Sequence, residues 1–309
     1  MQFFQTPNID FASKRRVAYI LSLSLFVIGM VHLIIKGGPN LGIDFKGGTS
    51  IQMRFADIVL TDKIRNALIP VGLANSEIKQ LGGGEEYVIR VEQIEKISAS
   101  EMAKIVEDAI SKGLPDVKYE IRKVDVVGPK IGGELRRAAV FAILLSLILI
   151  LIYIGWRFEF LFAMGAIIAL FHDVLITLGI FSIMNYELSL KEIAAFLTIV
   201  GYSLNDTIVV YDRIRENLKV MRSENLIVIV NRSINQVLSR TVITSLTTFI
   251  VVLILFVFGG SVIRGFAFTM LVGIVIGTYS SIFVASPVIL EWQMRHGGKR
   301  ELKMAKKRR

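Results

Sequence analysis

The sequence predicts an α-helical polytopic membrane protein with six transmembrane helices and a ferredoxin-like βαββαβ domain inserted between the first and second. Three observations carry this reading. Over 309 residues, 53% are hydrophobic and mean hydropathy is +0.59, values of a membrane protein rather than a water-soluble one. Apolar runs recur at 17–35, 138–154, 160–184, 193–211, 241–258 and 265–290, and about 20 residues at about 1.5 Å rise each cross the hydrocarbon. Segment 37–134, between the first two runs, has the mixed character of a small water-soluble domain.

The first run follows Lys14-Arg15-Arg16 and is followed by Lys36-Gly37-Gly38-Pro39-Asn40, without a small-residue cleavage pattern. It is therefore expected to be a retained helix, with residues 1–36 forming a cytoplasmic start and the first span. In the inserted domain, residues 49–55 alternate as a strand, with Ile51, Met53 and Phe55 on one face. Residues 58–68 read as a short amphipathic helix, and 77–81 and 86–91 as a hairpin turning at Gly82-Gly83-Gly84. Ser98 and Ser100 are candidate caps of a helix to Lys112, stopped by Gly113-Leu114-Pro115, and 117–127 supplies the last strand. Residues 135–290 then hold spans two to six, and 291–309 form a basic tail.

Orientation follows the Lys and Arg distribution. One side holds Lys14, Arg15, Arg16, Arg157, Arg213, Arg215, Lys219, Arg222, Arg232, Arg240 and the basic tail, whereas the opposite short loops hold only Lys191 and Arg264. Both termini are expected in the cytoplasm and the inserted domain outside. The net charge of +10 belongs largely to this asymmetry, so no specific nucleic-acid partner is implied, although the tail can touch anionic membrane lipid.

Gly42-Ile43-Asp44-Phe45-Lys46-Gly47-Gly48 lacks the spacing of a nucleotide loop. It is expected to be a structural turn, with Gly42, Gly47 and Gly48 allowing a tight path and Asp44 capping local amides.

Two carboxylates interrupt the spans: Asp173, beside His172, and Asp206, beside Asn205. An ionisable group at membrane depth is by default a functional site, because an unpaired buried charge is costly. Helix rise puts Asp173 about 20 Å along the third span and Asp206 about 8 Å from the cytoplasmic end of the fourth, so the acids are expected at staggered heights. Arg240 stands at the cytoplasmic mouth of the fifth span at a height matching Asp206, where a charge pair can form and break as a proton is released and bound. Thr241, Thr244 and Thr248 share a helical side suited to water or a neighbouring helix. Structural glue at Asn205–Asp206, and a local packing network at His172–Asp173, are the competing readings. Gly201, Gly273 and Gly277 are expected to permit close helix contact.

Segment 212–240 starts with alternating charges, read as the fourth helix continuing into water, and contains an apolar patch at 226–230 expected at the membrane surface. There is no cysteine, no metal-ligand set and no nucleophile with a base; the three histidines, His32, His172 and His296, are scattered. The chain is therefore expected to bind no cofactor and to be no enzyme, drawing on an ion gradient or another protein for energy.

Three segments together carry a family pattern: 42–48; Val127-Gly128-Pro129-Lys130-Ile131-Gly132; and 201–217, with Ser239-Arg240-Thr241 after it. Across nearly the whole chain this resembles the SecF branch of the SecD/SecF protein-export family, of the resistance-nodulation-division type. The resemblance implies a complex with SecD beside the SecYEG translocon, using proton motive force to assist preprotein translocation in the cell inner membrane. It also implies proton-coupling roles for Asp206 and Arg240, with a second coupling acid on SecD. His172 and Asp173 look like the family's third-helix polar pair, a candidate relay. Other translocon accessory proteins, and the exported domain's contact with preprotein or SecD, complete the expected partners. The alternatives are a small-molecule proton antiporter subunit and a passive membrane assembly factor.

Overall fold

The computed structural model describes residues 7–81, 84–92 and 97–294. Six of its helices are long and apolar enough to cross a membrane: α1 (Arg15–Lys36), α5 (Pro129–Arg157), α6 (Phe160–Ile183), α7 (Leu190–Val220), α8 (Leu226–Phe258), and α9 (Gly260–Ser280) with its continuation to Met294. Between α1 and α5 lie a short helix α2 (Ile43–Lys46) and the small domain, β1 (Gly48–Phe55), α3 (Thr61–Leu68), β2 (Glu77–Leu81), β3 (Glu86–Glu92), α4 (Ala99–Gly113) and β4 (Tyr119–Val127). The sheet order is β2-β3-β1-β4 with every pairing antiparallel, which is the ferredoxin-like arrangement.

Alternation on β1 sends Ile51, Met53 and Phe55 to the helix side, where they bury with Tyr87 and Ile89 of β3, Ile64 and Leu68 of α3, and Val106 and Ile110 of α4. Each such side chain contributes about 1.5–3 kcal/mol of burial. The start of α4 is fixed by a capping box in which Ser98 accepts from the Glu101 amide and Glu101 accepts from the Ser98 amide. Gly82 and Gly83 of the expected hairpin turn lie outside the described residues, as does the basic tail from residue 295 onward.

In the membrane bundle, α7 runs without a break to Val220 and α8 starts at Leu226, capped by Asn225 accepting from the Ile227 amide. The apolar patch at 226–230 is thus the first turn of α8, with Val228 exposed and Ile229 and Val230 turned inward. Ile229 and Val230 are 3% and 1% exposed, and Val230 packs with Ile214 of α7 in the bundle core. Asn231 and Asn235 hold the chain before α1, accepting from the amides of Phe11, Ala12 and Ile9. After α9 the backbone widens into a π turn, Ser281–Ala285. Pro287 explains it, because its ring crowds the carbonyl four residues earlier and it offers no N–H. Ser286 Oγ donates to the Ser281 carbonyl and Tyr211 donates to that of Ala285, so two carbonyls of the turn gain side-chain donors.

The glycine turn ties the small domain to the bundle. Gly48 has φ +149°, and a side chain there would meet the Val91 carbonyl at 2.4 Å; Gly47, at φ +80°, also lies where L residues rarely go. Gly42 caps the start of α2, and its amide donates to the Leu188 carbonyl while Leu188 donates to Asn40. Asp44 does not cap its own turn: its carboxylate accepts from the amide of Leu190, at the start of α7. The reason is topological, since the α6–α7 loop folds back over α2 and presents unsatisfied helix-start amides to it. Beside this junction Arg90 of β3 bonds to Glu187 of the same loop and to Glu77 at 3.2 Å, while Lys79 bonds to Glu77 at 2.5 Å.

Burial, together with the adjacent Glu77 carboxylate, pushes Glu187 up from 4.5 to about 7. The folded state then holds a proton that the unfolded chain has released. The Glu187 contribution to stability is therefore fully present below about pH 4.5 and lost as pH rises through about 7. Thermal unfolding of the purified chain as a function of pH should show this decline, and Glu187→Gln should remove it; an unaltered slope in the variant would contradict the assignment.

Candidate functional site

Two buried carboxylates, five helices and a set of hydroxyls make the site. Asp173 of α6 is 1% exposed and Asp206 of α7 is 3% exposed. Such burial is tolerable only if the oxygens are hydrogen-bonded. For Asp173 the partners come from three helices: Ser203 Oγ of α7 at 2.5 Å and Ser280 Oγ of α9 at 2.7 Å on Oδ2, and His172 Nδ1 at 2.8 Å on Oδ1. His172 Nε2 lies 3.0 Å from Ser22 Oγ of α1, which lies 3.0 Å from the Tyr279 hydroxyl.

Asp206 is more sparingly held. Ser245 Oγ of α8 donates to it at 3.1 Å and in turn accepts from Thr278 Oγ1 of α9 at 2.8 Å. Arg240 is exposed, and among the described residues it forms no ion pair with Asp206. The expected charge pair is thus open here. Thr241 lies one turn from Ser245 on the same helix, buried, its hydroxyl without a partner among the described residues. A buried hydroxyl without such a partner thus lies on α8 between the exposed Arg240 and Ser245.

Close helix approach assembles these groups. A side chain at Gly277 of α9 would meet Ser203 Cβ at 3.0 Å, and one at Gly273 would meet Ile199 at 2.2 Å, so α7 and α9 nearly touch where Ser203 and Ser280 reach Asp173. Gly29 and Gly179 do the same for α1 and α6, each notional side chain falling within 2.8 Å of the other's Cα. Gly201, by contrast, faces open space and serves no helix contact in this chain.

Several sequence expectations change. Asn205 is exposed and takes no part in the network, because it sits next to Asp206 on the helix and so points about 100° away. Thr244 and Thr248 spend their hydroxyls on carbonyls of their own helix at 3.0–3.1 Å. Ser22, Ser203, Ser245, Thr278, Tyr279 and Ser280, which do meet the carboxylates or their partners, were not singled out. The one signal available was helical spacing, Ser203 lying three residues before Asp206 and Ser245 four after Thr241. The stagger is also smaller than expected. Asp173 is level with Ser203, only three residues, or about 4.5 Å, from Asp206 along α7. The apolar run ends at residue 211, whereas the helix itself continues to Val220.

Comparison with known proteins places this arrangement. The family model for "Protein export membrane protein SecD/SecF, C-terminal" matches residues 105–295, and that for the "SecD/SecF GG Motif" matches residues 33–57, which contain the glycine turn. A protein translocase subunit SecF of Rhodothermus marinus is 46% identical over 99% of this chain and 100% of its own length. One from Vibrio alginolyticus is 44% identical over 92% of this chain and 90% of its own length. The crystal structure of SecDF, described as a translocon-associated membrane protein, from Thermus thermophilus matches with TM-score 0.83 at 39% identity over 94% of this chain. SecDF in a super-membrane-facing form matches with TM-score 0.74 at 38% identity over 98% of this chain. The chain spans 40% and 41% of those two solved chains.

The two carboxylates should differ in structural weight. Asp173→Ala removes three hydrogen bonds, those of Ser203, Ser280 and the part-buried His172, and Asp206→Ala only one, at about 1–3 kcal/mol for each buried group left unsatisfied. Unfolding of the purified chain should show Asp173→Ala several-fold more destabilising than Asp206→Ala, and equal losses would contradict the bond pattern.

Proposed function

This chain belongs to the SecD/SecF family of protein-export membrane proteins, and we propose on that footing that it is one half of a device that spends proton motive force to assist preprotein translocation. The observation that carries the proposal is Asp206, a buried carboxylate held by a single hydroxyl, with Arg240 of the next helix exposed and, among the described residues, in no ion pair. A carboxylate with so few fixed partners can take up and release a proton with little rearrangement, and a mobile guanidinium can compensate its charge when the proton leaves. Asp206 and Arg240 are the coupling residues in this reading; His172 and Asp173 form the second polar station of the same route.

The partner is a SecD-type subunit. The solved SecDF chains are more than twice this chain's length, and in this chain α5 shows apolar side chains such as Phe141, Leu145, Ile148 and Ile152 to the outside along its length, a surface suited to lipid and to a partner's helices. The SecYEG channel, its accessory proteins and the translocating preprotein complete the assembly. Both termini face the cytoplasm and the ferredoxin-like domain lies outside, following the basic residues at Arg157, Arg213, Arg215, Lys219 and Arg222.

The test uses the partner-bound complex in sealed vesicles with an imposed proton gradient. Asp206→Asn, at matched abundance, should cut proton flux at least about tenfold, a loss of about 1.4 kcal/mol or more in the coupled step. Gradient-dependent stimulation of preprotein transport should disappear with it. Unchanged flux would overturn the coupling role.

A further inference from the structure

A chain of hydrogen bonds runs from the backbone of α1 to Asp173, and counting its protons fixes more than its heavy atoms do. The Tyr279 hydroxyl lies 2.8 Å from the Ala18 carbonyl and 3.0 Å from Ser22 Oγ. A carbonyl can only accept, and this is the shorter of the two contacts, so we assign the one proton of Tyr279 to Ala18. The Ser22–Tyr279 bond then needs the proton of Ser22, which leaves Ser22 nothing to donate to His172. The 3.0 Å contact between Ser22 Oγ and His172 Nε2 therefore requires a proton on Nε2. At the far side of the ring, the 2.8 Å contact between Nδ1 and Asp173 Oδ1 needs a proton on one atom or the other. A neutral imidazole carries only one proton, so the pair holds one more than an ionised aspartate beside a neutral histidine would.

We infer that His172 and Asp173 form a proton-loaded dyad of zero net charge, a second proton-binding site within this chain whose occupancy is set by Ser22 and Tyr279. Electrostatics agrees with the count. Ser203 and Ser280 supply neutral donors to the other carboxylate oxygen, and a lone negative charge at 1% exposure is far more costly than a neutral pair. The groups facing the dyad are Ser22 from α1, Ser203 from α7, and Tyr279 and Ser280 from α9. Among the described residues, α5 and α8 bring no titratable side chain within hydrogen-bonding distance. Asp206, one turn along α7 from Ser203, turns instead to Ser245. His32, also on α1, bonds to the Ser182 carbonyl. Tyr279 stacks its ring near that of His172, with centroids 6.2 Å apart and an interplanar angle of 23°, holding the imidazole in the plane the chain requires. Ser22 and Tyr279 are thus positioning residues, acting on the proton through His172.

This inference deepens the proton-coupling reading and relies on it only for where the proton goes, not for its presence. The chain has three histidines, so solid-state 15N NMR of histidine-labelled chain, reconstituted near neutral pH with unlabelled partner, resolves the site, and His172→Gln assigns it. The expected spectrum has His172 Nε2 in the protonated range. A bare Nε2 with the proton on Nδ1 alone would overturn the dyad. Tyr279→Phe, which frees the Ser22 proton to point at the ring, should move Nε2 to the unprotonated range; an unchanged Nε2 would remove Ser22 and Tyr279 from the control of occupancy. Loss of the proton-flux effect in Asp206→Asn would remove coupling while leaving this spectrum as expected, so the two ideas fail separately.

Discussion

The structure turns on how two carboxylates are kept inside an apolar bundle. Neither is compensated by a salt bridge to lysine or arginine among the described residues; both are held by hydroxyls delivered from neighbouring helices. Serine hydroxyls reach only a short distance, so the helices that carry them must approach almost to backbone contact. Gly277 against Ser203 and Gly29 against Gly179 provide that approach. The packing of small residues and the chemistry of the site are therefore one constraint. Asp173, with three partners from three helices, is held firmly by it, and Asp206, with one, is held more loosely.

The same helix that carries Asp206 also anchors the exported domain. α7 starts under the Asp44 carboxylate and its own Ser189–Glu192 capping box, beside the Arg90–Glu187 ion pair, and runs unbroken for 31 residues past Asp206 to Val220. One continuous helix thus links Asp206 directly to the junction with the sheet. The ferredoxin-like fold supplies a rigid body there, its core independent of the bundle.

Much of this architecture is written in sequence patterns with strong physical causes. Six apolar runs of spanning length, the strand at Glu77–Leu81 and the Ser98 cap are all recovered because hydrophobic periodicity and capping chemistry act locally. The two acids are legible for the same reason, since few things place a carboxylate in a membrane run. Their partners are not: a serine in an apolar helix looks alike whether it bonds its own backbone, as Thr244 does, or an acid across the interface, as Ser245 does. That choice depends on helix rotation, which sequence spacing alone does not fix. Asn205, next to Asp206 yet facing outward, fails for the same tertiary reason, which also decides that Val228 of the apolar patch is exposed while Ile229 and Val230 are buried. Asp44 shows it over a longer distance, capping a helix 146 positions away.

The most direct test of the central claim, that close α7–α9 packing assembles the proton site, is proton flux through the partner-bound complex carrying Gly277→Val, recovered at normal abundance. A branched side chain there must drive Ser203 and α9 apart. The account predicts that gradient-driven flux is lost even though the complex assembles; flux equal to that of the unmodified complex would contradict it.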